Sequence, residues 1–389
     1  MKSVLKWVKR LAIFIGVLVV LIVGFILISG NDYMFFMLRH TIFKGRLGPS
    51  IDEFNIYQNR TVKASTQPVS WQMATNFGKL SLTEAEEKYL TDYETAAYLV
   101  VHNGKILFEK YWENYSDTSH TNSWSMAKSI VSHLIGCAIK EGLIKSVDDP
   151  IGNYLPEYRN EKVTIKNCLT MSTGFNFDES YINPFGYAAR SLYGQNIEEV
   201  HKRYKVDHES GKYFDYQSAN TQLLGFILNK VYGKTLSELA NEKLWQPIGA
   251  EHDAFWSIYR ENGPEKAFCC FNSNARDYAK FGLLYLNKGI VNGDTLIKSD
   301  YFEAATTPAK LEFQSGGDCR IYGYQWWCGN IDGGQLFYAR GIQGQYIFVM
   351  PESNMVIVRL GRTEGPDNEV GHPNDVKKLI DIGRRMEKL

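Results

Sequence analysis

The chain has 389 residues, of which 44% are apolar, so it can bury the core of one large domain or of two modest ones. Its 43 Lys and Arg residues balance its 43 Asp and Glu residues, and a chain without net charge has no bulk field that recruits nucleic acid. The six cysteines show no Cys-x-x-Cys pair and no His cluster at metal-ligand spacing. We therefore expect no nucleic-acid partner, no metal site and no cofactor.

The N-terminal segment combines a basic arm with a long apolar run. Residues 1–10 hold four Lys or Arg residues, and residues 11–29 are uncharged and, as a helix, long enough to cross a bilayer core. Because basic flanks stay in the cytosol, this pattern predicts a single-pass membrane anchor and a domain on the periplasmic or extracellular side. A cleaved signal peptide is the alternative, but the run is long for one and ends without a small-x-small cleavage site.

The anchor is followed by a mixed segment and then by the main domain. Residues 30–70 carry Gly, Pro and scattered charges, which predicts a linker that begins to pack on a domain at residues 71–389. Near the start of that domain, Thr83 precedes three glutamates, a pattern typical of a capped helix.

Strand patterns occur at both ends of the domain, and helical patterns lie between them. Residues 96–101 and 105–111 are rich in β-forming residues and flank Asn103-Gly104, a dipeptide typical of tight hairpin turns. From about residue 125 to residue 290 the pattern is mostly helix and loop. Strands then return before a terminal amphipathic helix, at residues 336–339, 346–350 and 355–360, with the helix at 375–388. This order predicts an α+β fold, a mostly antiparallel sheet flanked by terminal helices with an inserted helical lobe.

Ser125 and Lys128 form the first candidate for chemistry. They lie three residues apart at the start of a helical stripe of apolar residues, so they share one helix face. A lysine buried at the positive end of a helix can take the serine's proton and turn a weak alcohol into an acylatable nucleophile. The same spacing also arises by chance, as Ser3 and Lys6 show, so the catalytic interpretation depends on partners elsewhere in the chain.

Two later segments supply candidate partners. Tyr216 precedes a second helical stripe and could relay protons to and from Ser125, although a lone tyrosine more often only packs. Residues 339–345 place glycines at a strand end, where a backbone N–H such as that of Ile342 could join the N–H of Ser125 in an oxyanion hole. An ordinary edge strand with a bulge is the alternative.

The order of Ser-x-x-Lys, Tyr-x-Ser and a late glycine-bearing strand resembles the serine β-lactamase and penicillin-binding-protein superfamily. Within it, the chain is similar to the class C-like branch with 6-aminohexanoate-dimer (nylon oligomer) hydrolases and related esterases. The resemblance spans about residues 70–365 and is carried by residues 123–129, 141–144, 148–150, 169–174, 216–220, 244–250 and 275–282.

The resemblance implies a β-lactamase-like fold and a serine hydrolase that cleaves a small amide or ester through an acyl-enzyme. It implies Ser125 as the nucleophile, with Lys128 and Tyr216 handling protons. Ser218 is implied as a substrate-binding residue, although many members carry Asn at its position. The alternative function is a β-lactam or peptidoglycan-fragment binding protein that acylates with little turnover.

Arg340 and Gly341 are the other substrate-binding residues that the resemblance implies. Where β-lactam enzymes carry Lys-Thr-Gly, this chain has Ala339-Arg340-Gly341, so the cation is shifted by one residue, and we expect β-lactams to be handled poorly. Neighbouring strand residues face opposite sides. If Arg340 faces the cleft it can clamp a substrate carboxylate, and if it faces away, uncharged esters and amides are favoured.

Cys319 and Cys328 lie close in sequence around a possible strand. In an oxidising compartment they could form a disulfide. The alternative is a pair of reduced, buried thiols. The oligomeric state does not follow from the sequence.

Overall fold

This computed structural model describes residues 2–46, 48–367 and 371–388, so residues 1 and 389, the outer limits of the predicted arm and domain, lie outside the described residues. The α-helices are α1 (Lys2–Ile28), α2 (Tyr33–His40), α3 (Glu84–Asp92), α4 (Ala127–Lys140), α5 (Ile165–Leu169), α6 (Tyr187–Tyr193), α7 (Ile197–His201), α8 (Ser218–Tyr232), α9 (Leu236–Ala240), α10 (Ala275–Leu286), α11 (Ser299–Ala305) and α12 (Asp375–Glu387). Short 3-10 helices are Ile42–Lys44, Phe54–Ile56, Trp124–Met126, Ile151–Asn153 and Pro156–Tyr158, and Asn241–Trp245 is a π-helix.

The strands are β1 (Asn59–Val62), β2 (Thr95–His102), β3 (Lys105–Tyr111), β4 (Thr121–Asn122), β5 (Tyr213–Phe214), β6 (Ala254–Ser257), β7 (Phe271–Ser273), β8 (Ile290–Val291), β9 (Asp294–Thr295), β10 (Leu311–Phe313), β11 (Asp318–Cys319), β12 (Trp327–Ile331), β13 (Gly334–Gly341), β14 (Gln345–Met350) and β15 (Met355–Gly361). Together with the helices they confirm the predicted α+β class.

The chain divides into two compact units. The first comprises Met1–Pro49 and Asp178–Val200, and the second comprises Ser50–Phe177 and His201–Leu389. In the first unit, Val4–Ile28 within α1 is long and apolar enough to cross a membrane. The span predicted as a linker holds α2 of the first unit and, in the second, strand β1, which pairs with β6.

The second unit is built on a six-stranded antiparallel sheet that draws strands from both ends of its sequence. The strand order is β12-β13-β14-β15-β2-β3, so the early hairpin β2–β3 lies beside β15. Asn103 and Gly104 join that hairpin with φ angles of 51° and 72°, as a type I′ turn requires. The predicted hairpin is therefore confirmed.

Helices cover both faces of this sheet. On one face, the hydroxyl of Tyr98 in β2 donates to the carbonyl of Leu379 in α12, at 2.6 Å. On the other, α10 lies so close to β14 and β15 that a Cβ at Gly282 would stand 2.6 Å from Val356 Cγ1 and 2.8 Å from Ile347 Cγ2. Glycine lets α10 pack closely against β-branched side chains of the sheet. This contact holds α10 against β14 and β15.

The cysteine pair considered in the sequence is reduced, whereas a different pair forms a disulfide. Cys319 and Cys328 are free and buried. The disulfide joins the adjacent residues Cys269 and Cys270 in the second unit. Burial raises the pKa of the Cys319 thiol to about 11, so this thiol is a poor nucleophile at neutral pH.

We predict that Gly282→Ala lowers the free energy of unfolding by about 1–3 kcal/mol, the usual cost of overpacking a core. The new methyl group collides with Val356 and Ile347, which outweighs alanine's helix preference of about 1 kcal/mol. Thermal unfolding in detergent measures the change. On a Val356→Ala background the closer of the two colliding groups is gone, so the same substitution should cost less. An equal loss in both backgrounds would contradict the packing account.

Candidate active site

Ser125 lies in the 3-10 turn Trp124–Met126, which runs directly into α4. The preceding residue, Trp124, has a φ of 44°, a left-handed conformation that is strained for a bulky side chain. Two side chains hold it there: Asn122 Oδ1 accepts from the Trp124 backbone N–H at 2.8 Å, and Gln343 Oε1 accepts from its indole N–H at 3.0 Å. The backbone that presents Ser125 is therefore fixed from two sides.

Lys128 is buried, with 1% of its surface exposed, and its amine lies within hydrogen-bond distance of oxygen atoms from three other residues among its partners. Nζ lies 2.8 Å from Ser125 Oγ, 3.0 Å from Ser218 Oγ and 3.0 Å from the carbonyl oxygen of Phe268. The structure thus brings the three candidate residues Ser125, Lys128 and Ser218 together.

These three contacts suit either protonation state of the amine. The Phe268 carbonyl can only accept, so it always takes one N–H of Lys128. The Ser218 hydroxyl can accept a second. A neutral amine then directs its lone pair at the Ser125 hydroxyl, and a charged one donates its third N–H there.

Tyr216 lies beside this amine, on the turn before α8. Lys128 Nζ is 5.1 Å from the centre of the half-buried Tyr216 ring, which packs 5.5 Å from the ring of Trp327. The next residue anchors the turn, because Gln217 Nε2 donates to the Phe175 carbonyl and to Asp215 Oδ2, both at 2.7 Å. Burial raises the pKa of Asp215 above its usual value.

The end of β13 forms the opposite wall. A Cβ at Gly341 would lie 2.3 Å from the Ser123 carbonyl oxygen and 3.1 Å from the backbone nitrogen of Ser125. Only a glycine permits this approach without a shift. In the described residues the ladder with β12 stops at the Trp327–Tyr338 pair, so the last residues of β13 pair with β14 alone. Their other edge offers backbone hydrogen-bonding groups next to Ser125.

A buried arginine holds the turn that follows this strand. Arg359, 1% exposed, donates from Nη1 to the carbonyls of Gln343 at 3.2 Å and Gly344 at 2.9 Å. Its other nitrogens donate to the Thr95 hydroxyl and to the Tyr93 carbonyl. Arg359 therefore fixes the turn that carries Gln343 to the sheet. Because Gln343 accepts from the Trp124 indole, this also holds the strained Trp124 in place.

Arg340 is engaged by carboxylates of its own chain. One guanidinium nitrogen lies 2.7 Å from Asp367 Oδ1 and 3.5 Å from Glu364 Oε2, and its carbon lies 5.1 Å from the centre of the Trp327 ring. Arg340 alternates with Gly341 along the strand, so its side chain leaves from the face opposite to the glycine's contact with Ser125. Burial raises the pKa of Glu364 despite the nearby guanidinium.

The segment carrying the Phe268 carbonyl is heavily constrained. The Cys269–Cys270 disulfide follows it directly, and Trp256 Nε1 donates to the carbonyls of Lys266 and Cys269, both at 3.0 Å. Burial lowers the pKa of Lys266 to about 7. This rigid backbone keeps the acceptor for Lys128 in one position.

Sequence reasoning missed the Phe268 carbonyl, the strain at Trp124 and the clamp by Arg359. The first is a backbone atom 140 residues from Lys128, and no residue type marks it. The second would require knowledge of a φ angle that tryptophan rarely adopts. An arginine inside the apolar run 355–360 was a visible signal for the third, because a buried charge needs several partners.

The fold and the comparisons with known proteins define the chain as a serine hydrolase. A family model described as Beta-lactamase matches residues 82–380, and the chain belongs to that family, within the serine β-lactamase and penicillin-binding-protein superfamily. The predicted superfamily is confirmed.

Its relatives and structural neighbours include proteins that are named as hydrolases. The 6-aminohexanoate-dimer hydrolase of Paenarthrobacter ureafaciens is 26% identical over 326 residues, which cover 77% of this chain and 81% of the relative. A solved structure described as "Putative 6-aminohexanoate-dimer hydrolase from Bacillus anthracis" is 25% identical with a TM-score of 0.73, covering 87% of this chain and 94% of that one. A family VIII carboxylesterase shares the fold, with a TM-score of 0.62 at 18% identity and coverage of 82% and 99%.

We predict that Gly341→Ala reduces acylation of the enzyme by about 10²-fold, because the methyl group pushes β13 away from the Ser125 backbone. The loss should fall on kcat more than on KM, measured by steady-state ester hydrolysis. Gly334→Ala is the matched control at the other end of the same strand, where the nearest atom is a flexible Glu352 oxygen 3.4 Å away. Equal losses in the two variants would show that the effect is not local to the site.

Proposed function

We propose that this protein is a membrane-anchored hydrolase that cleaves a small amide or ester through an acyl-enzyme on Ser125. The observation that carries the proposal is the buried Lys128 amine 2.8 Å from the Ser125 hydroxyl. A lysine in this position is the base that an alcohol needs to become a nucleophile.

Acylation begins when neutral Lys128 takes the Ser125 proton as Oγ attacks the substrate carbonyl carbon. The two hydrogens of the neutral amine are donated to the Phe268 carbonyl and the Ser218 hydroxyl, so its lone pair is directed at Ser125. The new ammonium then returns a proton to the leaving amine or alcohol, with Tyr216 as the relay beside it. In deacylation, water replaces the leaving group and the same groups act in reverse.

The negative oxygen of the tetrahedral intermediate accepts from the backbone N–H groups of Ser125 and Ile342. Gly341 supports this assignment, because its close approach brings the strand end against the Ser125 backbone. The unpaired edge of β13 then receives the substrate's own amide or ester backbone. Ser218 is proposed to contact the substrate as well as the amine.

The surroundings of Arg340 favour uncharged esters and amides over substrates that carry a carboxylate. Asp367 and Glu364 already compensate its charge, so a substrate carboxylate would have to compete with them. Ala339 is fully buried and has no polar side-chain group. Both features support weak recognition of the fixed carboxylate of a β-lactam.

The length and apolar composition of α1 support the membrane anchor, and the basic residues at its start support a catalytic domain on the periplasmic or extracellular side. The substrate would then be a small molecule met outside the cytosol.

We predict that a fluorophosphonate probe adds to the parent protein and that Ser125→Ala abolishes the adduct, read by intact mass. Ser3→Ala, which removes the other Ser-x-x-Lys serine, should leave it unchanged. Lys128→Met and Tyr216→Phe should each slow acylation by about 10²–10⁴-fold, and together by less than the product, because the groups act as a unit. An adduct of equal yield on Ser125→Ala would disprove the assignment of Ser125 as the nucleophile.

Steady turnover of an ester or amide after the first acylation separates a hydrolase from a binding protein that only acylates.

We predict that Arg340→Ala changes KM by the same factor, less than about threefold, for a neutral ester and for its carboxylate-bearing analogue. The reason is that the guanidinium is already paired with Asp367 and Glu364. Steady-state kinetics on the two esters measures this. A selective rise in KM for the carboxylate-bearing ester would instead establish Arg340 as a carboxylate clamp.

A further inference from the structure

Exposed apolar side chains outside α1 are concentrated in the first unit. Among the described residues, ten large apolar side chains outside α1 are exposed, and six belong to this small unit: Phe35, Ile42, Phe43, Tyr181, Ile182 and Phe185. The other four lie in the much larger second unit: Val69, Met73, Leu143 and Ile290. A small unit that exposes so many large apolar side chains is a candidate for contact with another apolar surface.

The loop that carries Ile182 is braced by its own polar groups. Asp178 accepts from the Ser180 backbone N–H at 2.8 Å and from Asn183 Nδ2 at 2.7 Å, and Asn183 Oδ1 accepts from the Phe185 N–H at 3.0 Å. Ile182, at its tip, is 92% exposed. The loop therefore holds a fully exposed isoleucine outward in a defined conformation.

This loop is tied to the end of α1 within the same unit. The Tyr33 hydroxyl donates to the Pro184 carbonyl at 2.7 Å, and the Arg190 guanidinium lies 5.4 Å from the centre of the Tyr33 ring. Tyr33 follows Ile28, the last residue of α1, after a turn at Gly30. Even a fully extended chain of five residues spans at most about 17 Å. Pro184 is thus bound to a residue whose backbone cannot lie further than this from the end of α1.

We propose that residues 181–185, together with Ile42 and Phe43, form a second membrane contact, in which Ile182 enters the interfacial layer of the bilayer that α1 crosses. The partner is a lipid surface. Aromatic rings collect at this depth, as Tyr181 and Phe185 would. Arg39, exposed in the same unit, adds a positive charge that anionic headgroups attract. The inference rests on the proposed anchoring by α1.

Such a contact has a mechanical consequence. A single helix leaves its attached unit free to rotate about the membrane normal and to tilt, whereas a second contact at a distance from the helix restricts both motions. The first unit would then keep one face against the lipid.

Site-specific fluorescence in the intact chain tests this. Ile182→Cys is labelled with the environment-sensitive dye NBD, and the full-length protein is placed in vesicles of phosphatidylcholine and phosphatidylglycerol. Val19→Cys, within α1, reports on the anchor, and Ile290→Cys, an exposed apolar position of the second unit, is the matched control. The free cysteines Cys137, Cys168, Cys319 and Cys328 are buried, so the unsubstituted chain gives the labelling background.

Doxyl-labelled lipid should quench NBD at positions 19 and 182 by about twofold or more, while aqueous iodide quenches it at position 290. Quenching by lipid at position 19 but by iodide alone at position 182 would overturn the second contact and leave the anchor standing. Iodide quenching at position 19 would overturn the anchor itself, and the inference with it. Turnover of a soluble ester by each labelled protein shows that it is folded.

Discussion

The site depends on keeping one amine in the interior of the protein. An amine removed from water costs several kcal/mol unless its hydrogens and lone pair find partners. Lys128 finds them on Ser125, Ser218 and the Phe268 carbonyl, which are 3, 90 and 140 residues away along the chain. Ser218 at the start of α8 and Phe268 before β7 supply two of these partners, and Ser125 lies in the turn that runs into α4. The packing of these segments and the proposed reactivity of Ser125 thus rest on the same contacts.

The sheet supplies the second requirement, a backbone that can approach Ser125 closely. Gly341 meets the carbonyl of Ser123 and the nitrogen of Ser125 without a side chain between them. That approach is stable because Arg359 fastens the following turn to the carbonyls of Gln343 and Gly344. A buried guanidinium with several carbonyl acceptors is costly to disturb, since removing one acceptor leaves an N–H group of a buried cation without a hydrogen bond. The arginine therefore acts at a distance on the strained Trp124.

Strand alternation assigns different tasks to neighbouring residues of β13. Gly341 is used through its backbone on the face that meets Ser125, whereas Arg340 leaves from the other face, where Asp367 and Glu364 compensate its charge. One shift in register would exchange these faces. The charge of the cleft is thus set by pairing with β14 rather than by the presence of an arginine in the motif.

Short-range sequence patterns by themselves determined several local structures of this protein. Asn103-Gly104 fixed the first hairpin because both residues tolerate positive φ, Thr83 and Glu86 formed the capping box that their spacing indicates, and Ser125 and Lys128 met because three residues make about one helical turn. Only the tertiary structure decided that the Phe268 carbonyl completes the amine's contacts, that Gly341 faces Ser125, and that Arg340 meets carboxylates. Those contacts join segments far apart in the chain, and neither periodicity nor residue type specifies which distant backbone atoms will be brought together.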